Sequence, residues 1–244
     1  YSLPPLSTMV LQIFRFTLPR SLTISCHAFA DLRREVALAG ATHQHFGYSV
    51  QTRVAPIPKV EHEITWMMYW PEGPDLFERP HLKQYFVGLS QGDASSLLIE
   101  LANSNDKELL AALTAPVCEV VAMRMSDDAP ISEMPLSHSM HKTFTDCYKM
   151  QGFSGGNWGY ASNTNFVGGE SIAVLDPQGS RLDSQDRKLA IYLLGWESIE
   201  LHEDASKGPV FAEEMTKLGP WISKESGACG IVTSKLGGRI DEDL

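Results

Sequence analysis

Apolar residues run almost unbroken through two stretches of the chain, Ile64 to Trp70 and Leu189 to Trp196, and helix-type spacing follows each. Laid together by their final Trp, the stretches match Trp66 with Tyr192, Met67 with Leu193 and Met68 with Leu194. A short strand that is apolar on both faces has to be covered on both. Two such strands about half of a 244-residue chain apart point to a duplicated unit.

The pattern around them supports this. Val10 to Phe16 reads as a strand, and Ile24, Phe29, Leu32, Val36 and Leu38 follow at helical spacing until Gly40. Phe46 to Val54 and Glu63 to Trp70 read as strands, Leu76 to Leu89 as a helix broken near Pro80, and Ser95 to Leu101 as a strand. The order βαββαβ is the ferredoxin-like arrangement. After a short linker helix between Asn103 and Ala115 the order recurs. A strand at Val117 to Met125 is followed by a helix at Leu136 to Met150 and a glycine-rich, bulged strand at Phe153 to Ser162. A strand at Leu189 to Trp196 then leads to a helix at Glu200 to Leu218, interrupted at Gly208-Pro209, and a last strand at Ala228 to Leu236. Residues 163–187, rich in Gly, Ser and Asp, read as a surface insertion. The expected fold is α+β: two tandem ferredoxin-like units, 9–115 and 116–238, with their sheets packed face to face as an intrachain α/β barrel.

Composition narrows the partners. With 43% hydrophobic and 20% charged residues the chain has the balance of a globular protein. A net charge of -10 repels phosphate backbones, so nucleic acid is not an expected partner. No apolar run approaches the roughly 20 residues that span a bilayer, so no membrane partner is expected. Arg15, Pro19 and Arg20 interrupt the apolar block at 9–30, which argues against a cleaved signal peptide. Cys26, Cys118, Cys147 and Cys229 lack metal-type spacing and read as free thiols in a reducing, cytoplasmic compartment.

The segment Trp196-Glu197-Ser198-Ile199-Glu200-Leu201-His202-Glu203, running on to Phe211, resembles the strand-to-helix signature of the dimeric α/β barrel superfamily. Within it the chain is similar to antibiotic biosynthesis monooxygenases and stress-responsive barrel proteins, and the double copy with its insertion resembles fungal members. The resemblance implies a pocket between sheet and helices, a hydrophobic, aromatic or polyketide-like substrate, and oxygenation without metal or flavin. It leaves room for a homodimer. Only Trp196 and His202 stand on matching motif positions. In the first copy Trp70 matches, while Leu76 stands where His202 would be and His81 comes five residues later.

The groups expected to do chemistry are His202, Arg124 and Tyr192. Those expected to hold substrate are Trp196, Trp158, Tyr160, Trp70, Trp66, His81 and Arg15. Each has a plainer reading. The Trp residues can close a core, His202 can pack at a helix start, and Arg15 and Arg124, matched to each other by apolar alignment, can be edge charges. His138 and His141 share a helix face but lack the companions of a metal site, and no cofactor is expected. A heme-degrading reading would need an Asn where Gln12 stands. Two classes stay open: an enzyme (a cofactor-free monooxygenase, or a cyclase or isomerase) and a non-catalytic barrel protein whose interior is filled by Met and Leu.

Overall fold

The computed structural model describes residues 10–50, 60–71, 80–86, 88–102, 106–171, 181–223 and 228–235. The first half contains β1 (Val10–Thr17), α1 (His27–Leu38), β2 (His43–Val50), β3 (Glu63–Trp70), α2 (Pro80–Phe86) and β4 (Ser95–Leu101). After α3 (Asp106–Thr114) come β5 (Val117–Arg124), α4 (Met134–Asp146), β6 (Phe153–Ala161), the short β7 (Glu170–Ser171) and β8 (Leu189–Trp196). The chain ends in α5 (Ile199–Ala205), α6 (Pro209–Leu218) and β9 (Ala228–Lys235). The helical stretch after Trp196 divides in two at the expected interruption, because Pro209 lacks the N–H that a continuous helix needs and instead opens the second helix.

The fold is α+β with antiparallel pairing throughout. The expectation of two separate sheets laid face to face is corrected, because the strands belong to one nine-stranded sheet. The first half runs β4-β1-β3-β2 and the second β6-β8-β5-β9. β2 pairs with β9, and β4 pairs with β6, so each half covers an edge of the other. β7, from the insertion, adds to β4.

Both faces of the central strands are buried, as their unbroken apolar runs require. On β3, Ile64, Trp66, Met68 and Trp70 pack under the helices of the first half. Met67 and Tyr69 on the opposite face enter a cluster shared with β5 and β8. β8 alternates in the same way, with Ala190, Tyr192, Leu194 and Trp196 toward α4 to α6 and Leu189, Ile191 and Leu193 toward the shared cluster. Leu109 and Leu113 of α3 also enter that cluster, so the linker helix is part of the core.

Two glycines make the junctions possible. Gly155 has φ +149° at a register shift in β6, where a Cβ would meet that of Ala111 at 2.9 Å. At Gly159 a Cβ would stand 2.1 Å from the Glu100 carbonyl oxygen, so only glycine lets β6 approach β4 this closely.

Candidate active site

Strand β5 carries one acidic residue among apolar ones on the face turned to the helices. Val117, Glu119, Val121 and Met123 alternate on that face, while Cys118, Val120 and Ala122 face the shared core. Glu119 is held from two sides. The indole N–H of Trp196 donates to its Oε2 at 3.1 Å, and His202 Nε2 lies 3.0 Å from its Oε1. Both partners are placed by the turn between β8 and α5. Trp196 ends β8, and Ser198 caps α5 by accepting from the Leu201 N–H at 3.2 Å, which fixes the first helical turn and so His202. The imidazole meets the Trp196 ring edge to face, 5.5 Å between centroids.

Glu119, Trp196 and His202 form one wall of a cavity of about 250 Å³ between the sheet and α4 to α6. Tyr192, Leu194, Met123, Met150 and Met215 give it apolar surface, and Phe211, 39% exposed, stands where α6 borders it. Thr143 and Cys147 come from α4 and the turn after it. The volume is not filled by Met and Leu side chains. An apolar cavity of about 150 Å³ holds one benzene ring, so this larger one has room for a fused-ring aromatic molecule.

The polar groups have distinct states. Tyr192 is buried and donates to the Met140 carbonyl at 2.8 Å, and burial holds its phenol well above the ordinary value, so it remains a neutral donor tied to the backbone. Burial pushes the Cys147 thiol up to about 12, which removes it as a nucleophile. Glu214, 2% exposed, accepts from Lys142 at 3.2 Å, Lys217 at 3.0 Å and Thr143 at 3.2 Å. Behind it Asp146 pairs with Lys142 and, at 2.8 Å, with Lys149, and these lysines hold its carboxyl well below the usual carboxylate range.

That pairing predicts an acid-sensitive scaffold. A depressed folded pKa gives stability that is complete above the ordinary carboxylate pKa of about 3.9 and is lost as pH falls through the lower folded value. Asp146→Asn is expected to be less stable than wild type at pH 7, with the gap closing below about pH 3.9. Urea midpoints at pH 7 and at about pH 2.5 measure it, and a constant gap counts against the pairing.

Of the residues singled out in the sequence, Trp196, His202 and Tyr192 come together in this cavity. Trp158 stacks on Tyr192, with centroids 5.9 Å apart, and its N–H donates to His141 Nδ1 at 3.3 Å. Trp158 and Tyr160 border a second, more polar recess with Glu100 and Arg187, and burial there pushes the Tyr160 phenol up to about 12. Arg124 lies at the end of β5, bonded to the Met125 carbonyl at 2.7 Å and Asp127 at 2.6 Å, and is not among the residues lining the cavity. Arg15 forms a buried pair with Glu63 at 2.7 Å. Trp66 and Trp70 lie in the core of the first half. The side chain of His81, on α2, and Leu76 lie outside the described residues.

The strand registers also correct the apolar alignment of Arg15 with Arg124. Val10 pairs with Trp70, and Val117 pairs with Trp196. Gln12 therefore corresponds to Glu119, and Arg15 to Ala122, two residues from Arg124. Trp70 donates to Gln12 Oε1 at 3.1 Å, just as Trp196 does to Glu119, and Gln12 donates in turn to Ser96 at 3.0 Å. The first half thus has a neutral amide where the second has a carboxylate beside an imidazole. Glu119 was missed in the sequence, although a lone acid in an apolar strand was its signal.

No family model and no curated protein matches the chain. Solved structures do. A candidate monooxygenase from Fusobacterium nucleatum is similar with a TM-score of 0.57 and 9% identity, over 95% of this chain and 94% of that one. A candidate monooxygenase from Lactobacillus acidophilus gives 0.52 and 10% over 95% and 94%. An anthrone oxidase-like protein gives 0.51 and 9% over 97% and 95%. At these identities the likeness is one of fold.

Proposed function

We propose that the protein is a cofactor-independent monooxygenase acting on a hydrophobic aromatic substrate in the cavity of its second half. The observation that carries the reading is the buried Glu119–His202 pair in the wall of a mostly apolar cavity. Imidazole is the side chain best suited to proton transfer near neutral pH. Glu119 holds its Nε2 and so fixes the imidazole in the cavity wall. Glu119 then stabilises the imidazolium, and the Trp196 N–H keeps the carboxylate in place. Names among the similar structures, monooxygenase and anthrone oxidase-like, support this reaction class.

The substrate is a carbon acid whose anion is spread over an aromatic ketone, as in an anthrone. His202 removes a proton from the methylene, and the carbanion reduces dioxygen and bonds to it. Loss of the second methylene proton with cleavage of the O–O bond leaves a ketone and one water. One oxygen atom enters product, the other leaves as water, and the substrate supplies all the electrons. The same reading takes the two halves as copies wrapped into one intrachain barrel, supported by the pairings of β2 with β9 and β4 with β6.

Anthrone under labelled dioxygen tests the proposal. The expected result is enzyme-dependent oxygen uptake and one labelled atom in the ketone, read by mass spectrometry. An isomerised or cyclised product without oxygen uptake from this substrate class would move the assignment to proton-transfer isomerisation. No turnover of any such carbon acid would end it.

A further inference from the structure

Resting on that reading of the cavity, we infer that the site selects substrates that enter uncharged and rejects aromatic carboxylates and other anions of the same size. Three carboxylates line the cavity, those of Glu119, Glu203 and Glu214, and its described lining includes neither Lys nor Arg. Cations on the surrounding elements are already committed. Lys142 is shared between Asp146 and Glu214, and Lys217 between Glu213 and Glu214. Arg124 is bonded to Asp127, and Arg187 to Glu100 in the other recess. Glu119 is largely shielded from water, with its side chain 13% exposed, so its field is weakly screened.

An anion brought into this space loses its hydration and meets carboxylates, with no guanidinium or ammonium of the described lining to replace the water. A neutral phenol or ketone of the same shape loses less and can hydrogen-bond to the polar groups. Negative charge can arise in the cavity only after entry, when a proton moves from substrate to His202. That transfer creates a cation with the anion, so the net charge of the site does not change. Selection against anions and a proton-abstracting imidazole are therefore one electrostatic arrangement, with Glu119 serving both.

Two bicyclic probes of matched size, 1-naphthol and 1-naphthoic acid, test this by calorimetric titration of the wild-type protein at pH 7. There the first is neutral and the second is an anion. The expected result is binding of 1-naphthol at least about tenfold tighter than the acid, with the gap narrowed in Glu119→Gln. A Met215→Trp variant, which fills the cavity, is expected to lose 1-naphthol binding and so locates the probe. Equal or tighter binding of the acid, or no binding of 1-naphthol, overturns the inference. Turnover of a neutral carbon acid in that event would leave the functional reading standing. Selective 1-naphthol binding without turnover of any carbon acid would do the reverse.

Discussion

Glu119→Gln is expected to slow turnover about a hundredfold, and His202→Ala at least as much, with both variants folded. The glutamine keeps an oxygen for the Trp196 N–H, so the indole remains satisfied. It loses the charge that faces the imidazolium when His202 holds the substrate proton. A hundredfold corresponds to about 2.7 kcal/mol, within reach of one buried charge-assisted hydrogen bond. The fold already accepts this side chain, because Gln12 occupies the corresponding place on β1 and accepts from Trp70 at 3.1 Å. A loss of turnover with little change in melting temperature therefore reports on chemistry. Added imidazole is expected to restore part of the rate in His202→Ala and none in Glu119→Gln. Wild-type turnover in both variants would remove the pair from the reaction.

The parts of this site differ in how far the chain alone revealed them. The strands at 63–70 and 189–196 were legible because burial on both faces leaves an unbroken apolar run, and His202 because it stands on a matching position of the resembled signature after Trp196. The break at Gly208-Pro209 was legible from proline chemistry. What the chain did not reveal depends on register and edges. Apolar matching placed Arg124 on Arg15, two residues out, because alternation fixes which face a residue occupies but not its position along the strand. Joining through β2–β9 and β4–β6 depends on backbone pairing, which hydrophobicity does not encode. Glu119 reaches His202 across β8 and a helix turn, and only the fold brings them to 3.0 Å.

Trp66→Ala is expected to cost about 3–5 kcal/mol of stability. For a chain of this size that lowers the melting temperature by roughly 10 °C. Trp66 is fully buried, with Phe14 and Phe29 set edge to face against it at centroid distances of 6.4 and 5.2 Å, so truncation leaves a large void in the first-half core. It corresponds in register to Tyr192, which borders the cavity of the second half, and it was itself a candidate for substrate binding. The two roles predict opposite results. As core, Trp66→Ala melts early but retains its turnover, within about twofold, at a temperature where it is folded, and Trp66→Phe recovers most of the stability. As part of a working pocket, it would raise KM or lower kcat in the folded variant. The indole N–H favours the first outcome, since it is buried without a hydrogen-bond partner among the described residues and Phe removes that cost while keeping an aromatic ring.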